Sequence, residues 1–289
     1  MGADVSGRTV LVTGANTGIG RATALALAQR GWRVYVASRS ERKGEAAVSG
    51  IRAATGNDAV FLLLLDLADL ESVRACANSF LEPYEPLHVL INNAGVGGAH
   101  GLTRQGFEMT FGVNHLGHFA LTSALLDRLA ASAPARIVNV SSDAHYSARG
   151  IDFDALRRRA RNITALHQYA VSKLSNVLFT QELACRLAGT GVTSYALHPG
   201  VVASDIWRRV PWPVRPLIKR RMLSVTDGAA TSLYCATSPD VAQASGRYYD
   251  TCAEREPSAV ARPELAAELW RRSEAWTAPY LAGGEAGAA

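Results

Sequence analysis

No stretch of this sequence is apolar for long enough to cross a bilayer. Its longest uninterrupted hydrophobic run, Ala59–Leu65, falls far short of the ~20 residues that a spanning helix needs. The opening segment, MGADVSGRTV, has no apolar stretch of the kind a secretory signal carries, so the cytoplasm is the expected location. Gly2 and Ser6 fit the loose spacing of a myristoylation site, but a strand begins almost at once and the match reads as chance. Cysteine is scarce: Cys76, Cys185, Cys235 and Cys252 stand far apart, with no CxxC and no Cys/His spacing. Such a pattern builds neither a zinc site nor a disulfide framework, so reduced thiols and no metal are expected. Acidic residues are fewer than basic ones, giving a net charge of +5. Much of that excess is local, in Arg157–Arg161 and Arg208–Arg221, and no nucleic-acid motif accompanies it. A solvated face or a site for an anionic ligand is the expectation, with no nucleic-acid partner.

What is present suits a globular protein. Of 289 residues 48% are hydrophobic and 19% charged, ample for a sizeable core. That length admits one large domain or two small ones, and no repeat or low-complexity linker marks a division. Short β-rich runs alternate with longer helical patterns. Strands are expected at Arg8–Thr13, Arg33–Ser38, Ala59–Asp66, Leu87–Asn92, Ala135–Ser141 and Gly191–His198, with Gly246–Asp250 as an edge strand. Helical patterns run through Gly20–Arg30, Leu70–Leu81, Arg104–Ala131 and Leu166–Leu187. The alternation predicts an α/β fold over residues 1–289: one doubly wound, Rossmann-type domain, a central parallel sheet with helices on both faces.

The first strand runs into Thr13-Gly14-Ala15-Asn16-Thr17-Gly18-Ile19-Gly20, and a helix follows. Gly14 permits a tight turn, Gly18 lets backbone approach a pyrophosphate, and Gly20 lets the helix pack close to the strand. Backbone N–H groups at the helix start would then face the phosphates. A Gly-rich loop alone is weak evidence of binding. Between the first strand and first helix of a βαβ unit it indicates a dinucleotide site.

The GxxxGxG spacing resembles that of the short-chain dehydrogenase/reductase family, and further matches follow in order along nearly the whole chain. They are Asp66-Leu67, Asn92-Asn93-Ala94-Gly95, Asn114, Ser141-Ser142, Tyr169-x-x-x-Lys173 and His198-Pro199-Gly200. The stretches Asn114–Phe119, Phe179–Leu183, Tyr234–Ala236 and Leu269-Trp270 look like the retinol-dehydrogenase-like branch. Members of that branch often carry a membrane-anchoring N-terminal segment, which is not seen here. The resemblance therefore implies a soluble homologue acting on a hydrophobic carbonyl or alcohol. It also makes self-association through the Arg104 and Tyr169 helices an expectation.

An acidic residue about twenty positions beyond the glycines would bind the adenosine ribose of NAD. Ser38 and Arg39 stand there instead. A carboxylate would repel a 2′-phosphate, whereas a guanidinium offers it charge and several donors. NADP(H) is accordingly preferred over NAD(H), with Arg42 and Lys43 as secondary phosphate contacts; the plainer alternative makes Arg39 a solvated charge at a strand end. The resemblance further implies that Asp66 binds the adenine amino group, that Asn93 lies near the adenosine ribose and that Ser204 bonds the nicotinamide carboxamide. It implies further cofactor contacts from Leu67, Ala94, Gly95, Pro199, Gly200 and Val202.

Tyr169 and Lys173 lie four apart in a helical pattern and share a face. An ammonium about 5 Å from a phenol, at an effective dielectric near 20, favours the phenolate by roughly 3 kcal/mol. That lowers a tyrosine pKa by about two units and makes Tyr169 a usable acid/base. The family resemblance assigns the polarisation of the substrate oxygen to Ser142 rather than Ser141. It assigns Lys173 to the nicotinamide ribose and Asn114 to a water that relays protons to Lys173. Ser142 and Tyr169 are 27 positions apart, and the polar loop between them, including Asp152–Arg161, resembles the insertion of the retinol-dehydrogenase-like branch.

Other constellations attract attention. His115 and His118 have no third ligand nearby, and packing explains them better than a metal. Ser142, Asp143 and His145 hold the residue types of a hydrolase triad but sit too close together, and no GxSxG elbow exists. His145 and His100 are expected to line the substrate pocket. Residues 204–226 are a candidate lid, since Trp207–Met222 carries two tryptophans, three prolines and six basic residues with no acid. Contact with an anionic membrane surface and a merely solvated helix are the alternatives there. A non-redox lyase or cyclase on the same fold also stays open, as does nucleotide sensing without catalysis.

Overall fold

The computed structural model describes residues 7–160, 164–200 and 224–281. Among them β1 (Thr9–Thr13), α1 (Gly18–Ala28), β2 (Arg33–Ser38), α2 (Glu41–Thr55), β3 (Val60–Leu64), α3 (Leu70–Leu81) and β4 (Val89–Asn92) form the first half. A short turn of helix, Met109–Phe111, and a π-helical turn, Gly112–Leu116, lead into α4 (Gly117–Ala131). Then follow β5 (Ala135–Val140), α5 (Leu166–Arg186), β6 (Val192–His198), α6 (Val225–Thr237), β7 (Arg247–Asp250), β8 (Ala253–Arg255) and α7 (Pro263–Leu281). The strands make one sheet in the order β3-β2-β1-β4-β5-β6-β7-β8, parallel throughout except for the β7–β8 pair. Among the described residues no helix is long and apolar enough to cross a membrane.

Because side chains alternate across a strand, each buried strand feeds two cores. Val10, Val12, Val34, Val36, Val89 and Ile91 point to one face, where α1, α2 and α6 contribute Leu27, Ile51 and Cys235. Leu11, Tyr35, Leu90 and Ile137 point to the other, against Phe80 of α3, Phe119 and Leu125 of α4, Phe179 of α5 and Trp270 of α7. Each such side chain taken fully from water contributes roughly 1.5–3 kcal/mol. This two-sided burial is what produces near-continuous apolar strands rather than an alternating pattern.

The order reverses between β1 and β4, so the helices following those strands lie on opposite faces and a crevice opens at the strand ends. Two expectations are corrected. A helix starting at Arg104 is not formed: Gly106 has φ +78°, Thr103 Oγ accepts the Phe107 N–H at 3.1 Å, and helical structure begins only at Met109, where the Glu108 carboxylate accepts the Phe111 N–H at 2.8 Å. The run ending at Asp250 is not the sheet edge, because a turn through Thr251 and Cys252, both at positive φ, adds β8 outside it.

Candidate active site

A cleft of about 920 Å³ follows the strand ends, walled by the turns after β1, β2, β3 and β4 and by Tyr169 and Lys173 of α5. The glycine turn takes its shape from two different constraints. Gly14 and Gly18 have φ of +66° and +56°, a region unfavourable to other residues. Gly20 is constrained by space: a Cβ there would collide with the Asn93 amide and lie 2.8 Å from the Gly14 carbonyl oxygen. Thr17 gives α1 no side-chain cap, whereas Ser40 and Asp69 cap α2 and α3. The first N–H groups of α1 are thus left uncapped by Thr17, and Asn16, Thr17, Gly18, Ile19 and Gly20 all border the cleft.

Arg39 lines the cleft where β2 ends, as do Asp66, Leu67, Asn93, Ala94 and Gly95 beyond the next two strands and Pro199 beyond β6. Ser38 does not. It is 2% exposed, its hydroxyl donates to the Ser40 carbonyl at 3.1 Å and accepts the Ser40 N–H at 3.3 Å. In this structure the Ser38 hydroxyl shapes the turn that presents Arg39. Arg42 and Lys43 occupy the exposed first turn of α2, off the cleft wall. Gly200, at φ +81°, is likewise not part of the wall. Val202, Ser204, Trp207, Trp212 and most of the 204–226 segment lie outside the described residues, although Val225 borders the cleft.

At the end of β5 the two serines diverge. Ser141 donates its hydroxyl to the Lys173 carbonyl at 2.7 Å. Ser142 stands in extended conformation before a 3-10 turn, Asp143–Ser147, donates to Asp143 Oδ1 at 2.9 Å, and is near enough to the Tyr169 phenol to favour its ionised form. The Lys173 Nζ lies 5.6 Å from the Tyr169 ring centre and donates to the Val140 carbonyl at 2.9 Å. Burial raises the Tyr169 pKa above the usual tyrosine value, outweighing the downward pull of the Ser142 hydrogen bond, and the Asp143 charge raises it further. Burial also lowers Lys173 to about 8. The expected two-unit lowering of Tyr169 by Lys173 is corrected on both counts. Loss of water outweighs attraction between two groups buried together, and the ammonium is aimed at a carbonyl.

Asn114 belongs to the π-helical turn and is fully buried. Its Oδ1 accepts the Val96 N–H at 2.8 Å, and its Nδ2 donates to Val96 O and Ser172 Oγ, both at 3.0 Å. A Cβ on Gly95 would sit 3.3 Å from Asn114 Oδ1 and 3.6 Å from Lys173 Nζ, so the bare glycine lets those two groups approach one another. The Asn114 main-chain carbonyl accepts from His118 Nδ1 at 3.0 Å. A carbonyl can only accept, so the other nitrogen of the neutral ring takes the Thr13 hydroxyl proton at 2.8 Å. Thr13 Oγ in turn accepts the N–H groups of Asn93 and Ala94, each at 2.9 Å. His118 thus ties the turns that border the glycine loop to Asn114. Its one sequence signal is a position one helical turn beyond Asn114.

His115 packs among Phe111, Phe119 and Phe179 and bonds Ser273 of α7 at 3.0 Å. His100 is exposed, and its neighbour Ala99 reaches the cleft. His145 is 0% exposed and lies behind Ser142, which corrects its assignment to the pocket wall. Sequence reading missed four apolar residues of the cleft wall: Val96, Met109, Val113 and Val225. The polar insertion packs outside, with Arg157 stacked 3.7 Å over the Phe107 ring.

A family profile described as short chain dehydrogenase matches residues 8–151. Retinol dehydrogenase 12 of Mus musculus is 50% identical over 277 residues, covering 93% of this chain and 86% of that protein. Among solved structures, an uncharacterized protein from Mycobacterium paratuberculosis is 36% identical with a TM-score of 0.77, covering 94% of each chain. A structure described as an NAD(P)-dependent gluconate 5-dehydrogenase from Beutenbergia cavernae, with bound NADP, is 28% identical with a TM-score of 0.69, covering 86% of this chain and 96% of its own.

Proposed function

The chain belongs to the short-chain dehydrogenase/reductase family, and we propose that within it the protein is an NADP(H)-dependent oxidoreductase of hydrophobic alcohols and carbonyls. The observation that carries this reading is the meeting of Tyr169 and Lys173 on the wall of the cleft into which the uncapped start of α1 opens, with Ser142 next in the chain to the wall residue Ser141. The residues present fit a dinucleotide. Gly14, Gly18 and Gly20 bring backbone N–H groups to the place a pyrophosphate needs them, and Asp66 and Asn93 stand where the adenosine would lie. Arg39, which follows Ser38 at the end of β2 where an acidic residue would serve NAD, favours a 2′-phosphate. When bound, the nicotinamide supplies hydride exchange with the substrate carbon.

The protein's own part is positioning and proton transfer. Ser142 donates a hydrogen bond to the substrate oxygen and stabilises charge as it develops there. Tyr169 hands that oxygen its proton during reduction and removes it during oxidation. At neutral pH the raised phenol keeps its proton, and Lys173, titrating near 8, is mostly ammonium. Both groups are thus in the state that suits carbonyl reduction. Lys173 holds the nicotinamide ribose, while Asn114 offers a carbonyl oxygen for a proton-relaying water. The apolar residues of the cleft wall support a hydrophobic substrate, and the likeness to a retinol dehydrogenase makes retinaldehyde a rational first probe.

The test is a spectrophotometric screen in which NADPH or NADH is offered with retinaldehyde, with bulky aliphatic aldehydes and with small ketones. Faster consumption of NADPH with the bulky apolar carbonyls is expected. Nucleotide binding without turnover of any carbonyl, or of any alcohol in reverse, would refute the reading.

A further inference from the structure

We infer that His145 is a positioning residue that fixes the Ser142 turn by locking its carbonyl to the C-terminal segment of the chain. The inference rests on the reading of Ser142 as a donor to the substrate oxygen. His145 is 0% exposed. Its Nδ1 lies 2.7 Å from the Ser142 carbonyl oxygen, and its main-chain N–H donates to that same oxygen at 3.1 Å. One residue therefore engages the carbonyl through two donors. On the far side of the ring Nε2 accepts the Ser258 N–H at 3.1 Å, and Ser258 lies between β8 and α7. The ring packs against Tyr146, 3.9 Å away centre to centre, and Tyr248 of β7, 4.7 Å away.

The partners dictate the proton's place. The Ser142 carbonyl can only accept, so Nδ1 carries the hydrogen; the Ser258 N–H can only donate, so Nε2 is bare. A neutral imidazole, and no aliphatic or cationic side chain, satisfies both ends at once. Ser142 has ψ 157°, and the direction of its carbonyl sets that angle and the path of the turn behind it. A swing of the carbonyl would move Asp143, the acceptor of the Ser142 hydroxyl, and re-aim the hydroxyl relative to Tyr169. Donors to a reacting oxygen tolerate little error, and misplacement by about 1 Å can cost 10²-fold in rate. The histidine sits three residues after Ser142, on the 3-10 turn, where its ring folds back over the serine's own carbonyl.

The experiment is a double-mutant cycle: the parent, Ser142→Ala, His145→Leu and the double variant, with His145→Asn as the rescue. Turnover is measured with NADPH and retinaldehyde, nucleotide affinity by fluorescence titration, and folding by thermal unfolding. Asparagine can present one donor and one acceptor; leucine neither. The expected result is a roughly 10- to 100-fold loss of turnover in His145→Leu with nucleotide affinity unchanged, and substantial recovery in His145→Asn. On the Ser142→Ala background the leucine substitution should cost less than about twofold, because the group it positions is gone. Equal losses on both backgrounds, or none in the parent, would overturn the proposal while leaving Ser142 its role. Parental turnover in Ser142→Ala alone would remove the premise, and the proposal with it. Should His145→Leu fail to fold, nitrogen NMR of the parent imidazole decides. A protonated Nδ1 and bare Nε2 support the lock, and the opposite tautomer overturns it.

Discussion

Acid should unfold this protein through two histidines of the α4 region before most of its carboxylates titrate. Burial, helped by the nearby His118, pushes His115 down to about 3. Burial, helped by Lys173, pushes His118 down to about 4. In the unfolded chain both titrate near 6.5. Above that pH neither state binds the proton and the two residues contribute nothing to pH dependence. As the pH falls below ~6.5 the unfolded chain takes up protons that the folded one refuses, so stability falls by up to ~1.4 kcal/mol per pH unit per histidine. The fall continues until the pH reaches the folded values. At pH 5 each residue has removed about 2 kcal/mol, together about 4 kcal/mol, a large share of the 5–15 kcal/mol typical of a domain. The assay is urea unfolding at pH 8 and pH 5 for the parent and His115→Phe. Phenylalanine suits the cage of Phe111, Phe119 and Phe179 and cannot be protonated. Whatever it does to stability at pH 8, the drop between the two pH values should be smaller than the parent's by about 2 kcal/mol. Equal drops in the two proteins would show that His115 is not held neutral by burial, and the argument would fail.

Arg39→Ala should erase most of an NADPH-over-NADH preference of at least about tenfold, or ~1.4 kcal/mol, in side-by-side nucleotide titrations; equal affinities in the parent would undo the assignment of Arg39. Tyr169→Phe should lower turnover by about two orders of magnitude or more while nucleotide affinity survives, and near-normal rates would move the proton donor elsewhere. Lys173→Met should abolish turnover yet leave the protein about 1–2 kcal/mol more stable at pH 7. The cost of a buried ammonium titrating near 8 exceeds the hydrogen bond to Val140 that is lost, and a lower unfolding midpoint would contradict this. Gly20→Ala should weaken nucleotide binding and stability together, because its Cβ meets Asn93 and the Gly14 carbonyl; unchanged calorimetric binding would show that the loop yields.

Much of the scaffold was readable from neighbouring residues. The valine-rich runs became β1, β2 and β4, the glycine turn became the mouth of the cleft, and Tyr169 and Lys173 came out one turn apart on α5. Such features depend on short-range rules: side chains alternate along a strand, repeat every turn along a helix, and only glycine is at ease at positive φ. Where the reading slipped, local backbone geometry overrode what composition and position suggested. Gly106 delayed a helix that composition alone favoured from Arg104, and Ser38 turned its hydroxyl inward although its position suggested a nucleotide contact.

The amino-acid order by itself therefore determined the α/β class, the order of strands β1 to β7 and the residue types at the strand ends. Only the tertiary structure decided how those groups are tuned. His118 meets Thr13 across 105 positions and His145 meets Ser258 across 113, pairings that no spacing rule encodes. The fate of Tyr169 turns on the same difference. Helical spacing places an ammonium nearby, but whether a phenol is raised or lowered depends on how much water the packed chain removes from both, and that quantity exists only once the whole sheet and its helices have closed around them.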